Sequence, residues 1–374
     1  MSWGRLLAVM RKEFIQLKRD RLTFGMMIGV PLMQLALFGY AINSDPKHLP
    51  TVVIAQENTV YTRSLVQALE NSGYFRIVQS SDDPRLADAA LASGSAQFAL
   101  TVPAGFARAL ERGHTPQLLV EADATDPAAT GNAIAALQSL GSTALQHELI
   151  GVLAPRQGGA APFELVIQRR YNPEGITQYN IVPGLMGVIL TMTMIMMTAL
   201  GVTREVERGT MENLLATPVR PIEVMVGKIA PYIVIGYVQV LVILLAARYA
   251  FAVPFVGSLA VLLLGTLSFI AANLTVGITI SSIARNQTQA MQMTFFFFLP
   301  SLLLSGFMFP FRGMPGWAQW LGELLPLTHF LRIVRGVMLK GSSLAETWPH
   351  LWPLLLFTAL VLVVGLQRFR RTLD

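Results

Sequence analysis

A polytopic α-helical membrane protein with six transmembrane helices and an inserted external α/β or α+β domain is the fold class this 374-residue sequence predicts. Three observations predict it. Charged residues make up only 13% of the chain, where soluble domains carry about 25%. Six stretches hold no Asp, Glu, Lys or Arg at all: 22–44, 175–203, 229–247, 249–284, 286–311 and 347–367. Each approaches or exceeds the roughly 20 apolar helical residues needed to cross a hydrocarbon core. Between the first two lies a long segment in which apolar β-prone runs alternate with helical patterns. A soluble enzyme is excluded.

The elements follow in order. Residues 1–21 carry six Lys/Arg, and Leu6, Leu7, Met10, Phe14 and Leu17 recur at helical spacing. That pattern predicts a cytoplasmic amphipathic helix lying along the membrane surface. Residues 22–43 read as an uncleaved first span, too long for a signal-peptide core and without a clear small-x-small cleavage site.

Residues 44–175 read as the external domain. Strands are predicted at 51–55, 74–79, 96–102, 117–122 and 163–171, with helices near 61–72, 83–93, 104–112 and 127–152. About 130 residues suffice for an independent core. Asp126 ahead of Pro127 has the pattern of a helix N-cap.

The second span takes 176–202, a cytoplasmic segment 203–228, and spans three to five 229–309. Residues 310–346 contain two amphipathic pieces, 315–326 and 327–340. They read as interfacial or re-entrant external helices meeting at Pro326, with polar faces toward water. The sixth span is 347–367 and the cytoplasmic tail 368–374.

Of the 28 Lys and Arg residues, half fall in 1–21, 203–228, Arg285 and 368–371, which places both termini in the cytoplasm. The four in 310–346 (Arg312, Arg332, Arg335 and Lys340) run against this trend. The basic residues flank spans rather than form one face, so nucleic acid is not an expected partner; the lipid bilayer is.

Several chemistries are excluded or disfavoured. The chain has no cysteine, which rules out disulfides and thiolate metal sites. It has no phosphate-cradling G-x-x-x-x-G-K-[ST], and no ionisable residue inside a predicted span except His350 near one end of the last. A pump with an internal carboxylate relay is therefore disfavoured. Energy for any driven process must come from a partner.

Four motifs then stand in register: YNPE (171–174), EVERGTMENLLATPVRP (205–221), SGFMFPFRGMP (305–315) and LPLTHFLRIVRGVMLKG (325–341). Together with the order of elements they resemble export-type ABC transporter permeases, closest to the bacterial multidrug-exporter branch with a large external domain. The resemblance covers essentially the whole chain. It implies a dimer of identical or paralogous six-span permeases, each seated on a cytoplasmic ABC ATPase subunit that binds the ATP and magnesium; this chain itself holds no cofactor or metal and is not catalytic. A periplasmic adaptor is a further partner the external domain could meet.

The resemblance also implies that 203–217 couples the permease to its ATPase, through Glu205, Glu207, Arg208, Gly209, Thr210 and Glu212. Spans two and five would line the path, with Asn180, Thr191, Met192 and Met196 on one and Gln289, Gln292, Phe295 and Phe298 on the other. Met and Phe offer an adaptable apolar surface for varied lipophilic compounds; helix packing or lipid contact is the plainer alternative at any one position. The function expected is export of hydrophobic drug-like or lipid-like compounds, powered by a separate ATPase. A membrane-anchored scaffold whose external domain recruits envelope partners is the alternative.

Overall fold

The computed structural model describes residues 45–149, 161–208 and 221–371. The expectations for 1–21, 22–43 and 372–374, and for Gly209, Thr210 and Glu212, lie outside them.

The first unit is a five-stranded sheet with its helices: β1 (Leu49–Ala55), α1 (Val60–Asn71), β2 (Phe75–Ser81), α2 (Arg85–Ser93), β3 (Phe98–Val102), α3 (Phe106–Glu111), β4 (Gln117–Asp123), α4 (Pro127–Thr143) and β5 (Glu164–Arg170). The strand order is β2-β1-β3-β4-β5. Only the β3–β4 pair is antiparallel, so the sheet is mixed.

The unbroken apolar run in β1 has a simple cause: both faces of the sheet are covered. Leu49 and Val53 pack with Leu65 and Leu69 of α1, Phe106 and Leu110 of α3, and Ile134 and Leu137 of α4. Val52 and Ile54, pointing the other way as strand geometry demands, pack with Ala87, Ala90 and Leu91 of α2. The Asp126 side chain caps α4 by accepting from the Ala128 N–H at 3.2 Å, and Pro127 starts the helix.

The second unit is helical: α5 (Thr177–Glu207), α6 (Pro221–Tyr249), α7 (Leu259–Ile283), α8 (Gln287–Leu304), α9 (Gly316–Glu323), α10 (Pro326–Arg335), a π-helical turn at Gly336–Lys340, and α11 (Leu344–Arg371). Four described segments are long and apolar enough to cross a membrane: Thr177–Glu207, Pro231–Tyr249, Leu259–Ile283 and Leu344–Gly365. Helix α8 has 18 residues, but Gln287, Gln289 and Gln292 keep its first half polar.

Helix α7 packs against α5, α10 and α11. Close approach to α5 depends on Gly277, where an added Cβ would lie 2.8 Å from the Ile195 carbonyl oxygen and 2.8 Å from Thr198 Cβ. Phe269 of α7 stacks on Phe330 of α10 with ring centroids 4.1 Å apart.

The polar faces expected toward water in 310–346 are realised only in part. On α9, Trp317 and Trp320 are exposed, consistent with an interfacial position. Helix α10 instead inserts among the long helices, burying Leu327, Phe330, Leu331, Ile333 and Val334. Its Arg335 turns inward rather than to water. The reason is space: Gly187 on α5 leaves room for Leu327, whose Cδ1 would be 2.7 Å from a Cβ there.

Candidate functional site

Three places bear on function: the far end of α5, the open apolar faces of α5 and α8, and the polar seam between sheet and helices.

At the end of α5, Glu207 reaches across to the first residue of α8. Its Oε1 accepts from the Gln287 backbone N–H at 2.8 Å, and its Oε2 from Gln287 Nε2 at 2.6 Å. Arg204 Nε donates to Gln287 Oε1 at 3.4 Å. A carboxylate over the first turn of a helix meets unsatisfied N–H groups and the positive end of the dipole. Asn286 then caps α8 by accepting from the Gln289 N–H, while Gln289 Oε1 accepts from the Arg285 N–H. Glu205 is half-buried, and Arg208 is exposed where α5 ends. The structure thus brings Glu207 and Gln289 to one junction.

The other residues singled out by sequence divide into two groups. Asn180 and Thr191 are buried and bonded within the chain: Asn180 Oδ1 accepts from Arg335 Nη2 at 2.6 Å, and the Thr191 hydroxyl donates to the Gly187 carbonyl at 2.8 Å. Gln289 is buried too. Met192, Met196, Gln292 and Phe298 are half-buried, and Phe295 is exposed. Phe295, Phe296 and Met291 on α8 form an open apolar face, as do Ile181, Leu185 and Ile189 on α5, which packs against α8.

The seam was not foreseen. Lys340, at the end of the π-helical turn, places Nζ 2.5 Å from Asp123 Oδ2 at the end of β4 and 2.9 Å from the Leu91 carbonyl of α2. The same ammonium lies 5.1 Å from the centre of the Tyr171 ring. Burial, with the nearby Asp123 charge, pushes the Tyr171 phenol up to about 12. Arg312 Nη2 donates to the Gly94 carbonyl at 3.1 Å, and Arg332 grips Glu323 with two bonds of 2.9 and 2.6 Å. Arg170 is held between Asp88 and Glu121. Between sheet and helices, Asp123, Arg312, Glu323, Arg332 and Lys340 are among the residues that line a cavity of about 540 Å³. The one available signal was the group of cations in 310–346 that ran against the charge distribution. Among the described residues, no cluster of three or more His, Asp or Glu is placed to hold a metal ion.

The sequence profile of the family described as "ABC-2 family transporter protein" matches residues 21–366. The chain is 30% identical over 367 residues to the "Probable multidrug ABC transporter permease YbhR" of Escherichia coli strain K12, covering 98% of each. It is 30% identical over 382 residues to "YbhS" of the same strain, described in the same words, covering 100% of this chain and 99% of that one. It is also 27% identical to "ABC transporter G family member 20" of Dictyostelium discoideum, over 91% of this chain and 47% of that protein.

Proposed function

The chain belongs to the ABC-2 family of transporter proteins, and from that premise we propose that it is the permease subunit of an ATP-driven exporter of hydrophobic, drug-like or lipid-like compounds. A separate cytoplasmic ATPase binds ATP and magnesium and hydrolyses the ATP. Two permeases, identical or paralogous, pair around the path. The chain crosses the bacterial inner membrane six times with both termini cytoplasmic: 22–43 supplies the first span and α8 the fifth. The sheet domain is external, where a periplasmic adaptor would meet it.

The observation that carries this reading is the Glu207–Gln287 junction. It ties the end of α5, where the 203–217 coupling segment begins, directly to the start of α8. A displacement delivered to Glu205, Glu207, Arg208, Gly209, Thr210 and Glu212 by an ATPase would therefore reach both helices assigned to the path. Met192, Met196, Gln292, Phe295 and Phe298 would offer the adaptable lining, while Asn180 ties α5 to α10 through Arg335, Thr191 bonds within α5 and Gln289 anchors the start of α8. Orientation is supported by exposed Trp317, Trp320, Trp348 and Trp352 on α9 and the start of α11, as expected of a girdle at one membrane–water interface, and by Arg204, Arg208 and Arg285 near the Glu207–Gln287 junction.

The test is co-purification of the chain from detergent with ATPase activity measured in the eluate. A stoichiometric ATPase should be recovered, and its transport-coupled stimulation should be lost in Glu207→Ala or Arg208→Ala while membrane insertion persists. Wild-type coupling in both variants would sink the assignment.

A further inference from the structure

The seam cavity holds charges of both signs that its own residues leave without an ion-pair contact. Four cations and four carboxylates line it: Arg312, Arg332, Arg335 and Lys340, with Asp123, Asp126, Glu323 and Glu346. Two pairs cancel, Lys340 with Asp123 and Arg332 with Glu323. Glu346 is engaged at the start of α11, accepting from the Ser343 N–H and hydroxyl.

Asp126 is likewise engaged at the start of α4, accepting from the Ala128 N–H, so Arg312, Arg335, Asp126 and Glu346 remain without an ion in contact. Among the described residues, neither guanidinium has a carboxylate oxygen within 4.0 Å. Arg312 bonds only to the Gly94 carbonyl, and Arg335 to Asn180 and the Gly306 carbonyl. Arg335 Nε is buried without any hydrogen-bond partner. An unpaired buried charge is costly. In keeping with that, burial pulls Arg312 and Arg335 below the ordinary arginine range and pushes the Asp126 carboxyl up, while Arg335 and Asp126, which do not touch, each partly offset the other's shift.

Two forked cations that match phosphate geometry thus share one cavity with Asp126, a carboxylate that contacts no cation among the described residues. At about 540 Å³ it has the size of a small-molecule site. The exposed tryptophans of α9 and α11 beside it stand where headgroups lie. We propose that the seam cavity binds a zwitterionic phosphoethanolamine headgroup, its phosphate on Arg312 and Arg335 and its ammonium on Asp126, contributed by a phospholipid of the surrounding leaflet.

The full chain, purified in dodecyl maltoside, would be titrated with dioctanoyl phosphatidylethanolamine, dioctanoyl phosphatidylglycerol, free O-phosphoethanolamine and inorganic phosphate. Binding would be read by native mass spectrometry and by thermal unfolding. Phosphatidylethanolamine should bind saturably and at least tenfold more tightly than phosphatidylglycerol. Arg312→Gln should weaken it about tenfold, with Arg85→Gln, on the exposed start of α2, as the unaffected control. Asp126→Asn, which keeps the helix cap, should erase the preference over phosphatidylglycerol.

Tighter binding of the lipid than of free phosphoethanolamine identifies the bilayer as the source; equal binding would identify a soluble headgroup at the same site. Phosphatidylglycerol binding as well as phosphatidylethanolamine to the wild type would overturn the proposal, as would affinity unchanged by Arg312→Gln. If Arg335→Gln does not fold, the wild-type ranking and the Arg312 and Asp126 variants still decide.

Discussion

Lys340 and Asp123 form an ion pair 2.5 Å long, with side chains only 10% and 8% exposed, between residues 217 apart in the chain. It joins the end of a central strand to the turn after α10, fastening the sheet to the helical unit. Removing one member of such a pair strands the other charge in a poorly solvated place, which typically costs about 3–5 kcal/mol. Asp123→Asn and Lys340→Met should each lower the thermal unfolding midpoint and open the sheet domain to protease. The double variant Asp123→Leu/Lys340→Met should recover most of the loss. Additive losses in the double variant would mean the two residues act independently.

Glu207 and Gln287 should behave as one unit. Gln287→Ala removes the side-chain donor but keeps the backbone one, so it should reproduce part of the Glu207→Ala defect in ATPase stimulation. Combining the two should add little beyond Glu207→Ala. A double-mutant cycle on coupled ATPase rate makes the comparison, and fully additive effects would separate the two residues.

The Tyr171 phenol, raised to about 12, makes a prediction at high pH. A folded-state value above the unfolded value of about 10 stabilises the fold fully below pH 10. That contribution is lost as pH rises through 12. In an ultraviolet titration the latest-ionising tyrosine should be absent in Tyr171→Phe. The variant should also flatten the loss of stability between pH 10 and 12.

Gly277→Ala should destabilise by about 1–3 kcal/mol. Both nearest neighbours of the new methyl, the Ile195 carbonyl and Thr198 Cβ, belong to the α5 backbone or its immediate root and cannot swing aside. Gly131→Ala on α4, where a Cβ meets nothing within 4 Å, should be neutral or slightly stabilising by the same denaturation assay. Equal effects at both positions would remove the packing explanation.

The sheet domain was legible because its signals are local. Val52, Val53 and Ile54 form a short β-branched run, and Asp126-Pro127 announces a helix start; both readings need only a few neighbouring residues. The seam was not legible for the opposite reason. Asn180 and Arg335 lie 155 positions apart, and periodicity reports which face a residue takes without saying which element it meets.

The four cations of 310–346 were a trace of it. They stand apart from the general charge asymmetry because Lys340 and Arg332 answer carboxylates, while Arg312 and Arg335 turn to carbonyls and an amide. At the junction, Glu207 was read as facing a partner. Its bond to Gln287 depends on α5 and α8 ending and beginning side by side, which no spacing in 203–217 encodes.

Helix α5 is one uninterrupted element of 31 residues, which at 1.5 Å per residue makes a shaft about 46 Å long. One end follows within seven residues of the last strand of the sheet, and the other is bolted to α8 through Glu207. A shaft passes on torque and tilt without needing a relay of side-chain switches along its length. Its one internal proline, Pro183, cannot donate to the Tyr179 carbonyl and sits within the second turn from the sheet. The missing hydrogen bond places the helix's weakest backbone turn next to the sheet, with proline-free helix from there down to Glu207.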